Sequence, residues 1–220
     1  MKMVFDFMTV LQQWPLLLFG TLMTLVMTII ATLFGLLLGI AGGWARANGP
    51  LWLSMVVGGY VELFRNTPYI VQLFFIFFGL PAIGLQLSAV SASVLSLVLN
   101  LGAYAAEITR AGIETTPRGQ IEAAQSLALN RWQIFTRVIL PPSLSRVWPS
   151  LIGQVIIIML GSAVCSQIST EELSFSANLI ASRSFRNFES YIIAAVIYLA
   201  LAVAVRQFLS WLGPRFIFGR

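Results

Sequence analysis

A chain of 220 residues that is 58% hydrophobic and only 10% charged, with a mean hydropathy of +0.88, does not have the balance of a soluble domain, in which about a quarter of residues are charged. The absence of His excludes imidazole acid–base chemistry and His-ligated metals, and a single cysteine, Cys165, excludes an intrachain disulfide or a Cys-pair metal site. Lys2 is the only lysine, so a Walker A loop, which ends in Gly-Lys-Ser/Thr, is excluded as well.

Residues 7–45, 66–106, 147–170 and 190–205 carry no charge, and a bilayer crossing needs about 20 apolar residues. The second interval has room for two crossings, with the turn sequence GLPAIG (79–84) between them. The expected fold is therefore all-α: a polytopic membrane protein forming a single domain over 1–220, with five spans near 14–43, 60–82, 87–114, 149–168 and 190–211. The first apolar run is too long for the core of a cleavable signal peptide. Gly35, Gly39 and Gly43 recur every fourth residue, a spacing that lets helices approach closely, within the chain or at a subunit interface.

Further along, ELFRNTP (62–68) stops one helix and starts another. Thr67 is expected to cap the new helix with Pro68 in its first position, and Glu62 and Arg65 to share a face. The third span, from 87 to 114, is roughly 42 Å long and must project from the bilayer. Glu107 and Arg110 are spaced to pair near its end. Asn100, Tyr104 and Glu107, at i, i+4 and i+7, form a polar stripe that should face protein or water rather than lipid. This stripe is a candidate translocation path, or a set of ties between helices; Ser162 and Gln167, at the end of the fourth span, are counted with it. Residues 169–190 form the sizeable segment at the opposite side, either a solvated connection or a docking surface.

If the polar 110–148 segment faces the cytoplasm, then Arg46, Arg65, Arg110, Arg118, Arg131, Arg137, Arg146, Arg206, Arg215 and Arg220 lie inside, against Lys2, Arg183 and Arg186 outside. That positive-inside bias puts the N-terminus outside and the C-terminus inside. It also accounts for a pI near 10.0 without a nucleic-acid partner.

The polar segment itself reads as a helix–turn–helix. Residues 118–129 place Ile121, Ala124 and Leu127 at helical spacing. Asn130 is expected to adopt the left-handed helix end and to cap the next helix, with Gln133 in the capping-box position. The second helix is expected to stop at Pro141–Pro142. Such a pair has too little apolar surface to span the membrane and too much to stay free, so it needs a partner.

EAAQSLALNRWQIFTRVILP (122–141) resembles the EAA loop of membrane-spanning permease subunits of ATP-binding-cassette importers. Glu122, Ala123, Ala124, Leu140 and Pro141 match the family pattern, and Ala128 replaces its glycine. YVELFRNTPYIVQLFFIFFGLP (60–81), NLGAYAAEITRAGIETTPRGQIEAA (100–124) and FRNFESYIIAAVIYL (185–199) resemble the polar amino-acid branch, the histidine and glutamine type. A Lys-polar-Thr/Ser motif of that branch is replaced here by Leu160-Gly161-Ser162-Ala163.

The resemblance implies a coupling loop over 115–142, with Glu122, Ala123, Ala124, Ala128, Asn130 and Arg131 meeting a dimeric ATPase subunit. ATP and Mg would be bound on that partner, with no cofactor on this chain. It further implies a second permease chain, an extracytoplasmic substrate-binding protein, and the bacterial inner membrane as location. An ion-coupled secondary transporter would need intramembrane carboxylates or His, and a non-transporting scaffold is opposed only by the motifs.

Overall fold

The computed structural model describes residues 5–217. Among the described residues, four helical segments are long and apolar enough to cross a bilayer: Trp14–Asn48, Ala89–Glu114, Arg131–Ile168 and Asn187–Arg215. A fifth, broken span is formed if Leu51–Arg65 and Tyr69–Ile83, which are bent by 111° at the break, are taken together. In chain order the helices are α1 (Phe7–Leu11), α2 (Trp14–Asn48), α3 (Leu51–Arg65), α4 (Tyr69–Phe74), α5 (Ala89–Glu114), α6 (Arg118–Ser126), α7 (Arg131–Gln133), α8 (Leu140–Gly161), α9 (Leu173–Ser184) and α10 (Asn187–Leu212).

The α2–α5 contact is the spine of the bundle. Gly35, Gly39 and Gly43 lie against Leu101, Ala105 and Thr109, one four-residue row against another. A Cβ on Gly43 would come within 2.7 Å of the Thr109 Cβ, and one on Gly35 within 2.9 Å of the Leu101 Cβ. The glycine row therefore serves packing inside this chain. Lipid supplies no hydrophobic force between helices, so close dispersion contact is what holds these two together. Met27, Leu73, Leu97, Leu101, Leu151 and Val155 fill the core around this contact.

The break between α3 and α4 departs from the expected cap. Pro68 occupies the N-cap position of α4, and Thr67 Oγ1 instead donates back to the Leu63 carbonyl at 2.8 Å. The carbonyls freed by the break need donors, because lipid has none. Gln72 provides them: its amide nitrogen donates to Phe64 O at 2.7 Å and Thr67 O at 3.0 Å. The turn after the broken span is as expected, with a 3₁₀ stretch Leu80–Ile83 closed by Gly84 at φ 85°.

Pro141 and Pro142 do not end a helix. The backbone passes from α7 through a π-type turn, Ile134–Ile139, into α8, so one helical segment runs over 38 residues from Arg131 to Ile168. The wide turn displaces the carbonyls that proline rings would strike in a regular α-helix. At ~57 Å this segment far exceeds a hydrocarbon core of about 30 Å. The second half of the predicted helix–turn–helix is thus the foot of the fourth span, which projects from the membrane.

At the opposite end, residues 169–190 form no loose connection. Helix α9 buries Leu173, Ala177 and Ile180 against α2 and α10. Its N-cap is Glu172, which is fully buried. Glu172 Oε1 accepts the Phe175 N–H at 2.8 Å, Tyr198 donates its hydroxyl to Oε2, and the neighbouring Leu173 N–H donates to Thr24 Oγ1 at 3.2 Å.

Candidate functional site

Helix α6 is short and polar, and it buries mainly Ala124 while Arg118, Glu122, Ala123, Gln125 and Ser126 stay exposed. Its end is a Schellman motif: the Ala128 N–H donates to Gln125 O at 2.9 Å and the Leu129 N–H to Ala124 O at 3.3 Å. Ala128, at φ 56°, is the left-handed residue, not Asn130, whose φ is −73°. The sequence reading assigned the strained position two residues too late. Ala128 sits where the importer pattern has glycine, and left-handed geometry is why glycine suits that position.

Asn130 has the other role expected of it. Its Oδ1 accepts the Gln133 N–H at 2.9 Å, and Gln133 Oε1 accepts the Asn130 N–H at 2.9 Å, a complete capping box. The two helices are fixed on a small apolar floor of Ile113, Ala124, Ile134, Phe135 and Ile139, with the Trp44 ring edge-on to Phe135 at 6.2 Å. Arg146 Nη1 donates to Thr115 Oγ1 at 2.9 Å and ties the chain entering α6 to α8. Leu127, 75% exposed, stands at the outer edge with Glu122 and Ala123. Arg131 and Trp132 border a hollow of about 690 Å³ shared with Trp44, Asn48 and Pro50. The result is a rigid knob with an uncovered face.

Three arginines converge on Glu107 just above the knob. Arg46 pairs with Oε2, Arg110 Nη2 lies 2.5 Å from Oε1, and Arg65 Nη1 is 4.0 Å from Oε2. Arg110 also reaches Glu114 at 2.5 Å, and the Arg65 guanidinium lies over the Tyr104 ring at 5.6 Å. The predicted Glu107–Arg110 pair is present, but Arg65 turns to Glu107 and Tyr104. The cluster joins α2, α3 and α5 where all three end, a junction through which movement of one end would be felt by the others.

A family model described as "Binding-protein-dependent transport system inner membrane component" matches residues 31–218. The glutamine transport system permease protein GlnP of Escherichia coli (strain K12) is 34% identical over 215 residues, covering 97% of this chain and 98% of the relative. The chain belongs to this permease family. A probable amino-acid ABC transporter permease protein, YckA, of Bacillus subtilis (strain 168) is 36% identical over 157 residues, covering 71% of this chain and 70% of the relative. A solved amino acid ABC transporter with histidines matches at a TM-score of 0.86 and 34% identity, over 97% of this chain and 100% of that one. The inward-facing MetNI methionine ABC transporter shares the fold at a TM-score of 0.73 and 21% identity, over 93% of this chain and 97% of that one.

The remaining candidate residues of this permease fall in two places. Asn100 is buried, and its amide donates to Gln72 Oε1 at 2.8 Å, so it braces the broken span; Tyr104 and Glu107 continue the same face of α5. Ser162 is buried and donates to Met159 O at 2.7 Å, and Gln167 is exposed. Sequence reasoning missed the inner continuation of the stripe. Ser96 Oγ meets the Tyr69 hydroxyl at 2.9 Å, which also contacts Cys165 Sγ at 3.2 Å, and Ser93 Oγ meets Thr170 Oγ1 at 2.8 Å. Positions 93, 96, 100, 104 and 107 keep the helical spacing, so the periodicity that found the last three also contains the two serines.

Proposed function

We propose that this chain is the permease subunit of an ATP-driven importer of a polar amino acid, one of two permease chains that together form the translocation path in the bacterial inner membrane. The uncovered α6 knob, closed by a Schellman turn and a capping box, carries this reading. Helix α6 with Glu122, Ala123 and Ala124 inserts into a cleft of an ATPase subunit dimer that binds ATP and Mg. Ala128, Asn130 and Arg131 set the angle at which it does so. An extracytoplasmic binding protein delivers substrate at the α9 end, which places the N-terminus outside and the C-terminus inside.

Coupling follows from rigidity. A load on α6 passes through the Ala124–Ile134–Phe135 floor to the foot of α8 and, through Arg146–Thr115, to the end of α5. The Glu107 cluster then shares it with α2 and α3. The polar stripe on α5 borders the path where the broken span faces it. The amino-acid class is supported by the kinship to permeases named for glutamine and amino-acid transport.

The test is uptake of a labelled amino-acid panel into vesicles holding the co-expressed ATPase, with and without binding protein. Saturable, ATP-dependent uptake that requires the binding protein is expected. Uptake driven by an ion gradient without ATP would overturn the proposal.

A further inference from the structure

Arg206 is the only charge between Ser190 and Trp211, inside the last span, and it has no hydrogen bond or ion pair with another described residue. It borders a hollow of about 360 Å³ between α8 and α10, together with Ser145, Trp148, Pro149, Ser210 and Pro214. Arg206 and Ser210 are one turn apart on α10, and Ser145 and Pro149 one turn apart on α8. Pro149 has no N–H to return to the Ser145 carbonyl, so that acceptor lies beside the two serine hydroxyls without its α-helical donor.

The wall of the hollow is Trp148, whose Nε1 donates to Leu209 O at 2.9 Å and fixes the ring between the helices. The same ring also borders an apolar groove of about 350 Å³ running along α2 from Leu25 and Ile29 to Ile40, closed by Val155 and Phe208. Leu25 to Ile40 is roughly 22 Å of helix, more than the ~15 Å of hydrocarbon in one leaflet. Neither Ala123–Thr170 nor Ser190–Arg220 contains an acidic residue, while the two stretches hold Arg131, Arg137, Arg146, Arg206, Arg215 and Arg220.

We propose that this composite site holds one anionic phospholipid. The Arg206 guanidinium takes the phosphate, Ser145 and Ser210 hydrogen-bond its oxygens and the glycerol, and one acyl chain lies in the α2–α8–α10 groove. An arginine-rich, acid-free surface repels the ammonium of a zwitterionic headgroup and favours a net negative one. The inference uses the membrane placement of the chain and is independent of its substrate.

Native mass spectrometry of the complete transporter, exposed to equal amounts of phosphatidylglycerol and phosphatidylcholine, tests it. Wild type should retain phosphatidylglycerol preferentially; Arg206→Gln should lower that retention about fivefold, and Arg206→Lys should preserve most of it. Leu33→Trp, which obstructs the groove and leaves the hollow intact, should lower retention too. If Arg206→Gln does not assemble, Ser210→Val and Leu33→Trp carry the comparison. Three outcomes overturn the proposal: equal retention in wild type and variants, displacement of the lipid by inorganic phosphate, or disulfide capture of a Phe208→Cys variant by the second permease chain, which would make this face a subunit interface.

Discussion

Ala128 shows how one backbone angle constrains a functional turn. Its left-handed φ of 56° costs an L-residue about 1 kcal/mol or more, and glycine is free of that cost. Ala128→Gly should therefore raise the thermal stability of the detergent-purified chain, by up to about 1 kcal/mol, and leave transport intact. A lower melting temperature would mean that the turn is not the left-handed one described. Asn130→Val removes the side chain that accepts the Gln133 N–H and should cost about 1 kcal/mol locally, read as weaker co-purification of the ATPase.

At the scale of elements, a break inside a membrane helix is tolerated where side chains supply the missing donors, and Gln72 does this for the α3–α4 bend while Asn100 holds Gln72 in place. Gln72→Leu leaves the Phe64 and Thr67 carbonyls without that donor and should cost about 1–3 kcal/mol. Asn100→Leu should cost less, because the Gln72 amide nitrogen keeps its own acceptors. Thermal unfolding of the two variants orders them, and the reverse order would make Asn100 the more important group. The sequence patterns that were legible here are those set locally: charge-free lengths indicated the spans, the Asn-x-x-Gln spacing indicated the capping box, and the four-residue glycine row marked a face for close helix approach without naming α5 as its partner. What was not legible depended on tertiary context. A π-type turn let the chain run through Pro141–Pro142, against the local rule for proline. Glu107 acquired Arg46 and Arg65 from helices far away in sequence, and Glu172, at the head of the 169–190 segment, is buried because α9 folds back onto α2.

For the whole molecule, the contacts that would carry a load from the proposed ATPase contact lie at one end. The knob, its apolar floor, the Arg146–Thr115 tie and the Glu107 cluster are consecutive contacts leading from α6 into α8, α5 and α2. The α9 end is held separately, by buried apolar contacts and the Glu172 cap. A substitution on the exposed face of α6 should therefore break communication with the ATPase without disturbing the membrane bundle. Glu122 is exposed, its side chain is remote from the Glu107 cluster in sequence, and only its backbone carbonyl takes part in a helix-end bond, from Ser126 Oγ at 3.1 Å. Glu122→Lys reverses a charge at the proposed contact and leaves these internal bonds in place. Transport should fall at least tenfold and ATPase co-purification should weaken, while membrane insertion, melting temperature and binding-protein association stay at wild-type values. Stimulated ATP hydrolysis should fall in step with transport. Retained uptake with full ATPase association would place the coupling surface elsewhere on the molecule. A drop in melting temperature together with uptake would instead show that the α6 knob supports the fold itself.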